Sequence, residues 1–421
     1  MRKIIFYSFL FFLLVVYILS IIFDFIPIST KIILEAISFI ICFVILSDSR
    51  YRLKKEYKTI IIWLVIAIIW DLITSLINGE TQFHFIKYLT PVIGSIFAAH
   101  VIYKFAKRRI KTPEQLLYLV VLMMFFESIL TVLMKSFPPL YELLDAFLVF
   151  DFRTDVVTDI FDIPRFFGIG NAYFFGVLAP CCVAIMPAVY LMNETESLLK
   201  KVFLIVMWIV ISIVSFFVAR WTITIVAVSV GLFFVYQGGK NVFRTLGVLA
   251  ILAVGIWVAY IVTMDNIDPE LQKWAFSSFM NDSAQGDHSA DYVKDWWLNT
   301  RFEFKTFLIG DAKYTDPIDG YYKHVDVGYF REIFYGGIIG LLINLYLHVK
   351  ILKMTYRYNP TKSFKYFLIF LMFGYMAILA KGDANMMTFF ILFLVFYSDG
   401  AIEYVPYRKG TLSKSHSIEK K

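Results

Sequence analysis

The sequence predicts an all-α polytopic membrane protein of about twelve transmembrane helices, with both termini cytoplasmic. Three observations predict it. The chain of 421 residues is 59% hydrophobic and 19% aromatic but only 17% charged. Its mean hydropathy is +0.71, far above that of a soluble domain, so apolar surface must face lipid. Nearly uncharged runs recur along it, and Lys and Arg fall on alternate sides of them.

The runs are 4–23, 32–47, 59–78, 86–103, 115–134, 172–192, 202–219, 221–238, 245–264, 333–352, 366–380 and 384–398. Most approach the roughly 20 residues that a span needs. With Met1 inside, the inner segments hold 26 of the 40 Lys and Arg residues, loop after loop. That is the positive-inside pattern, so the net charge of +7 reports topology and does not point to nucleic acid. The first run lacks a small-residue cleavage site and reads as an uncleaved span. Cys42, Cys181 and Cys182 lie inside spans, where cysteine packs as a small hydrophobe. They form no metal-ligand spacing.

The chain reads as one membrane domain, 1–421, with short basic inner loops. Two outer segments are long, 138–171 and 265–327. Loops of that length inside a compact protein are functional or disordered. The second, a large periplasmic loop between spans 9 and 10, carries Trp274, Phe276, Trp296, Trp297, Phe302, Phe304 and Phe307, too many aromatics for a solvated coil. Its middle, 287–310, has helical periodicity. Val293, Trp297, Thr300 and Phe304 line one stripe, with Lys294, Arg301 and Lys305 beside it. Such an amphipathic element suits the membrane surface.

Charge set against a span is costly and marks function by default. Arg220 stands at a tip between two apolar runs. Arg165 opens 165-RFFGIGN-171, where Gly168 loosens the backbone ahead of a span. The stretch 321-YYKHVDVGYFREIFYGGIIG-340 pushes His324, Asp326, Arg331 and Glu332 against hydrocarbon. His324 or Asp326 is the candidate general base, with Tyr329 on the first turn that follows. Gly336 and Gly340 form G-x-x-x-G, which predicts close helix packing. Arg165, Arg220, Arg301 and Arg331 share the outer layer, opposite the positive-inside bias, and several arginines suit a diphosphate. Glu35, Asp71 and Glu127 lie within spans and read as partners for Lys or Arg. Lys381 and Asp383 read as an ordinary turn. There is no phosphate-binding loop, zinc-protease motif or Ser/Cys nucleophile motif.

These residues resemble an O-antigen polymerase of the Wzy type, within the O-antigen ligase/polymerase superfamily. Three pieces carry the resemblance, in order: 165-RFFGIGN-171, the hairpin Arg220, and 324-HVDVGYFREIFYGGIIG-340. Arg165 to Gly176 and Arg220 to Gly231 repeat an R-x10-G spacing described for such polymerases. The resemblance implies a bacterial inner-membrane glycosyltransferase whose site faces the periplasm. It implies that the growing glycan leaves undecaprenyl diphosphate for a hydroxyl of a new lipid-linked repeat unit, with no metal or other cofactor. It implies arginines on the leaving diphosphate and His324 or Asp326 on the hydroxyl proton. A chain-length regulator and a flippase are partners that it implies. Ligases of the superfamily carry His followed by Asn where this chain has His324-Val325-Asp326, a departure that favours the polymerase. The alternatives are the ligase, which uses lipid A core as acceptor, and a flippase or transporter, for which repeats and interrupted helices are the usual signs.

Overall fold

The computed structural model describes residues 2–149, 166, 168–170, 177–238, 247, 289–316 and 320–406. In chain order the helices are α1 (Arg2–Leu19), α2 (Thr30–Leu46), α3 (Lys55–Asn78), α4 (His84–Ala106), α5 (Pro113–Ser136), the short α6 (Pro138–Asp145), α7 (Leu178–Glu194), α8 (Leu198–Val218) and α9 (Thr222–Tyr236). Then come α10 (Ser289–Asn299), α11 (Phe304–Leu308), α12 (Gly328–Tyr356), α13 (Lys362–Leu379) and α14 (Met387–Tyr397). Eleven of the twelve expected runs lie on these helices; the remaining one, 245–264, falls almost wholly outside the described residues. Among the described residues six helices, α3, α4, α5, α8, α12 and α13, are long and apolar enough to cross a membrane. The chain is a mostly helical, multi-pass membrane protein.

Two helices are apolar all round and lie at the centre, as such helices must. Every residue of α7 from Leu178 to Met192 is buried, and so is every residue of α14 from Met387 to Phe396. Peripheral helices instead expose apolar side chains, for example Phe43, Ile62 and Leu76, the surface that hydrocarbon covers. The ends of the bundle differ. At the basic end, strands β1 (Tyr51–Leu53) and β4 (Ile402–Tyr404) pair antiparallel. There Lys107 pairs with Asp399, and Ser363 bonds Asn193 at 3.1 Å and Glu194 at 2.6 Å.

The opposite end gathers α10, α11, a two-strand ribbon of β2 (Thr315–Asp316) and β3 (Gly320–Tyr321), and the start of α12. The periodic segment 287–310 forms two helices in place of one. Between them Phe302 turns inward onto Phe334, ring centroids 4.8 Å apart, and onto Phe330 at 5.4 Å. The four residues 300–303 leave the helix where that ring packs inward.

Helix α12 is broken. Gly337 has φ 67° and ψ −176° inside it, a conformation essentially reserved for glycine. The break frees carbonyls that a continuous helix would satisfy, and a buried segment fills it. Asp311 N–H donates to Phe334 O at 2.6 Å, and Ala312 N–H to Tyr335 O at 3.0 Å. The Trp70 indole donates to Gly336 O at 2.8 Å. Irregular backbone survives in a membrane protein where protein groups satisfy it. Gly336 and Gly340 lie against the Phe85 ring and the Trp70 indole, so the G-x-x-x-G face receives aromatic edges from α3 and α4.

Candidate functional site

The first turn of α12 touches the α13–α14 connection backbone to backbone. A Cβ on Gly328 would stand 2.3 Å from Gly382 O, so only glycine permits the approach. This closeness brings together charges far apart in sequence. Asp326 Oδ2 lies 3.0 Å from Lys381 Nζ, and Asp326 Oδ1 lies 3.5 Å from Arg331 Nη1. Two cations thus share one carboxylate. Lys381 also sits over the Trp296 ring, 5.0 Å from its centroid.

Arg331 is the core of this group. Its guanidinium carbon lies 4.1 Å from the Tyr314 ring centroid and 4.3 Å from that of Tyr321. The His84 ring stacks on Tyr314 at 3.4 Å. Two groups so close to one ring can only take opposite faces, so His84, Tyr314 and Arg331 form a stack. The Arg331 side chain is only 10% exposed. A guanidinium carries five donors. Here the long bond to Asp326 is its one hydrogen bond among the described residues, and Nε has no partner. A buried polar group left short of partners is rare and marks a place for an ordered water, an ion or a ligand.

Two acids lie next to it. Glu332 is fully buried; Asn344 donates its amide to Oε1 at 3.2 Å, and Oε2 has no partner among the described residues. Asp383 Oδ2 accepts the Tyr314 hydroxyl at 2.6 Å, while Oδ1 has no such partner. Burial pushes the Asp383 carboxyl up, against the pull of the Tyr314 bond and the Arg331 charge. Burial likewise lifts the Tyr314 phenol well above its usual range.

The last turn of α13 ties the rim together. Helical partners run out at this end, although Met376 O still accepts Ala380 N–H at 3.2 Å, and three aromatic side chains supply further donors. Tyr329 reaches Met376 O at 2.9 Å, Trp221 reaches Ala377 O at 2.7 Å, and Trp297 reaches Ala380 O at 3.2 Å. The half-buried Arg220 precedes Trp221 at the α8–α9 tip, so that tip joins the same rim. Phe166 N–H bonds Phe217 O at 3.1 Å beside that tip; Arg165 itself lies outside the described residues. Gly168 lies against Glu127, whose carboxylate accepts Ile169 N–H at 2.8 Å. His324 is exposed on the turn Tyr322–His324, with φ 57°, next to Lys323 at φ 55°. Arg301 is also exposed, and its guanidinium closes its own helix through Leu298 O at 2.9 Å.

Sequence reasoning missed Tyr314 and His84, named Glu332 without giving it a role, and took Lys381 and Asp383 for a turn only. Lys381 and Asp383 form no ordinary turn, since both meet partners across the bundle. The available signal was charge in a short connection between two apolar runs. Of the acids read as partners for Lys or Arg, Glu35 has Lys31 within electrostatic reach, while the hydrogen bonds of all three go to hydroxyls and amides among the described residues. Glu35 accepts from Ser95 at 2.5 Å, Asp71 from Tyr335 and from Ile86 N–H, and Glu127 as above. No protein-family model, curated protein or solved structure matches the chain.

Proposed function

We propose that this chain is an O-antigen polymerase of the inner membrane. It transfers a growing glycan from undecaprenyl diphosphate to a hydroxyl of a new lipid-linked repeat unit. The observation that supports this reading best is Arg331, a buried guanidinium with unspent donors at the edge of the membrane bundle, paired with a second cation at Lys381. A lipid diphosphate keeps its tail in hydrocarbon and its head at this layer.

Arg331 and Lys381 exchange part of their hold on Asp326 for diphosphate oxygens. Arg331 is fixed between rings, so its donors are oriented before the ligand arrives, and oriented donors stabilise the charge that grows on the leaving group. Arg220 extends the cationic rim, Arg301 stands at its margin, and Arg165, outside the described residues, is the further arginine that the sequence motif offers. His324 and Asp326 are the proton acceptors that the motif itself offers. The reaction side is the periplasm, opposite the basic end. Gly168, Tyr329, Gly336 and Gly340 support the site through the contacts described above.

The test is a lipopolysaccharide gel of bacteria lacking this chain, complemented with wild type. The expected result is core bearing a single repeat unit in the deletion and a restored ladder with wild type. Bare core with accumulated polymer on the lipid carrier would instead make the chain a ligase, and an unchanged ladder would remove both readings in favour of transport.

A further inference from the structure

The polymerase reading leaves a buried acid pair without a task. Asp326 is the weaker candidate for the reaction's proton, because its carboxylate is held by Lys381 and Arg331 together. His324 lies exposed on a turn. One residue into α12 from Arg331 stands Glu332, and across the Gly328–Gly382 contact stands Asp383. Each has one carboxylate oxygen occupied by a protein donor and one with no partner among the described residues. The Tyr88 hydroxyl, likewise without a partner, lies within electrostatic reach of both acids, as does Tyr375. Unsatisfied acceptors at the foot of an anion-binding arginine match a neutral ligand rich in hydroxyl groups.

We infer that Asp383 is the proton acceptor for the attacking sugar hydroxyl, and that Glu332 and Asp383 together form the subsite of the acceptor glycan. This rests on the polymerase reading. The hydroxyl oxygen forms its bond to the anomeric carbon of the donor. The bond from that carbon to the diphosphate oxygen breaks, and its electron pair leaves with the lipid diphosphate toward Arg331 and Lys381. The hydroxyl proton moves to Asp383 Oδ1. Tyr314 joins the two halves of the site: its ring carries Arg331, and its hydroxyl holds Asp383 Oδ2. Glu332 and Tyr314 are positioning residues.

The groups facing Asp383 are Arg331, Glu332 and Asp326 from the α12 region, Tyr314 from the segment before β2, Tyr88 from α4 and Tyr375 from α13. Burial lifts the Asp383 carboxyl, which brings a carboxylate base closer to the working pH. Because the base acts ionised, the rate falls as pH drops through its titration. The Tyr314 hydroxyl bond pulls that carboxyl down, so removing the hydroxyl moves the acid limb to higher pH.

The experiment uses the full chain in proteoliposomes, with a lipid-linked repeat unit as donor and acceptor and single-turnover rates across pH. Asp383→Asn is expected to slow elongation about 10²–10⁴-fold, with Asp383→Glu recovering part of it. Tyr314→Phe, which keeps the ring against Arg331 but removes the hydroxyl, is expected to shift the acid limb upward, which covers the case in which Asp383→Asn does not fold. Asp383→Asn elongating within a few-fold of wild type, or an acid limb unmoved in Tyr314→Phe, overturns the inference while the polymerase stands. Loss of the limb in His324→Ala with Asp383→Asn active assigns the proton to His324 and also overturns it. A wild type that elongates nothing overturns the polymerase reading, and this inference with it.

Discussion

Arg331→Ala abolishes the polymer ladder and lowers the elongation rate about 10²–10³-fold, the usual cost of removing one preorganised charge-stabilising donor. The reasoning is geometric. The guanidinium carbon lies 4.1 Å from the Tyr314 ring centroid and 4.3 Å from that of Tyr321, and its Nε has no partner among the described residues. Arg331→Lys restores little, because an ammonium on a flexible stem is a point charge that neither stacks as a plane nor forms a fork. The substitution also removes packing against Tyr314 and Tyr321 and one hold on Asp326, so the loss is read per molecule of folded protein. Rates measured on equal amounts of reconstituted protein check this. A ladder that survives Arg331→Ala moves the diphosphate to the remaining rim cations.

Gly337→Ala unfolds or strongly destabilises the protein. The methyl group would stand 2.3 Å from Leu308 O, in a backbone at φ 67°. Overpacking and the glycine-only conformation together cost about 3–5 kcal/mol. Gly320→Ala is the matched control, since its φ is +76° but its Cβ would meet open space. That change carries only the left-handed strain, about 1–2 kcal/mol. Thermal melting in detergent, with the yield of folded protein, separates the two. If Gly337→Ala melts with Gly320→Ala, the break in α12 is a tolerant hinge and not a fixed joint.

The helices were legible because a lipid-facing helix needs only a long apolar run, and length and charge suffice to find one. The rim was partly legible for a related reason: a titratable group beside hydrocarbon is conspicuous in any sequence. What lay across the bundle was not legible. Lys381 meets Asp326 over 55 residues and Asp383 meets Tyr314 over 69, and neither distance leaves a mark in local periodicity. Gly337 was hidden inside a motif. Gly336 and Gly340 satisfied the small-residue spacing, so the glycine between them passed as part of a continuous helix. Segment 287–310 kept its period across 300–303, and only the partner rings of Phe330 and Phe334 explain why Phe302 leaves that register. Glu127 was read by charge alone, whereas its partner is a backbone amide at Ile169 that no pattern of side chains reveals.

The central claim is that the rim of this bundle passes a glycan from one lipid diphosphate to another lipid-linked unit. The most direct measurement is reconstitution of the full chain in vesicles containing only a defined undecaprenyl-diphosphate-linked repeat unit, followed by mass analysis of the glycolipids. The account predicts a series of products spaced by one repeat unit, each formed with release of one undecaprenyl diphosphate, and no such series with Arg331→Ala. Vesicles in which folded wild type leaves the repeat unit monomeric, or moves it intact between leaflets, would contradict it.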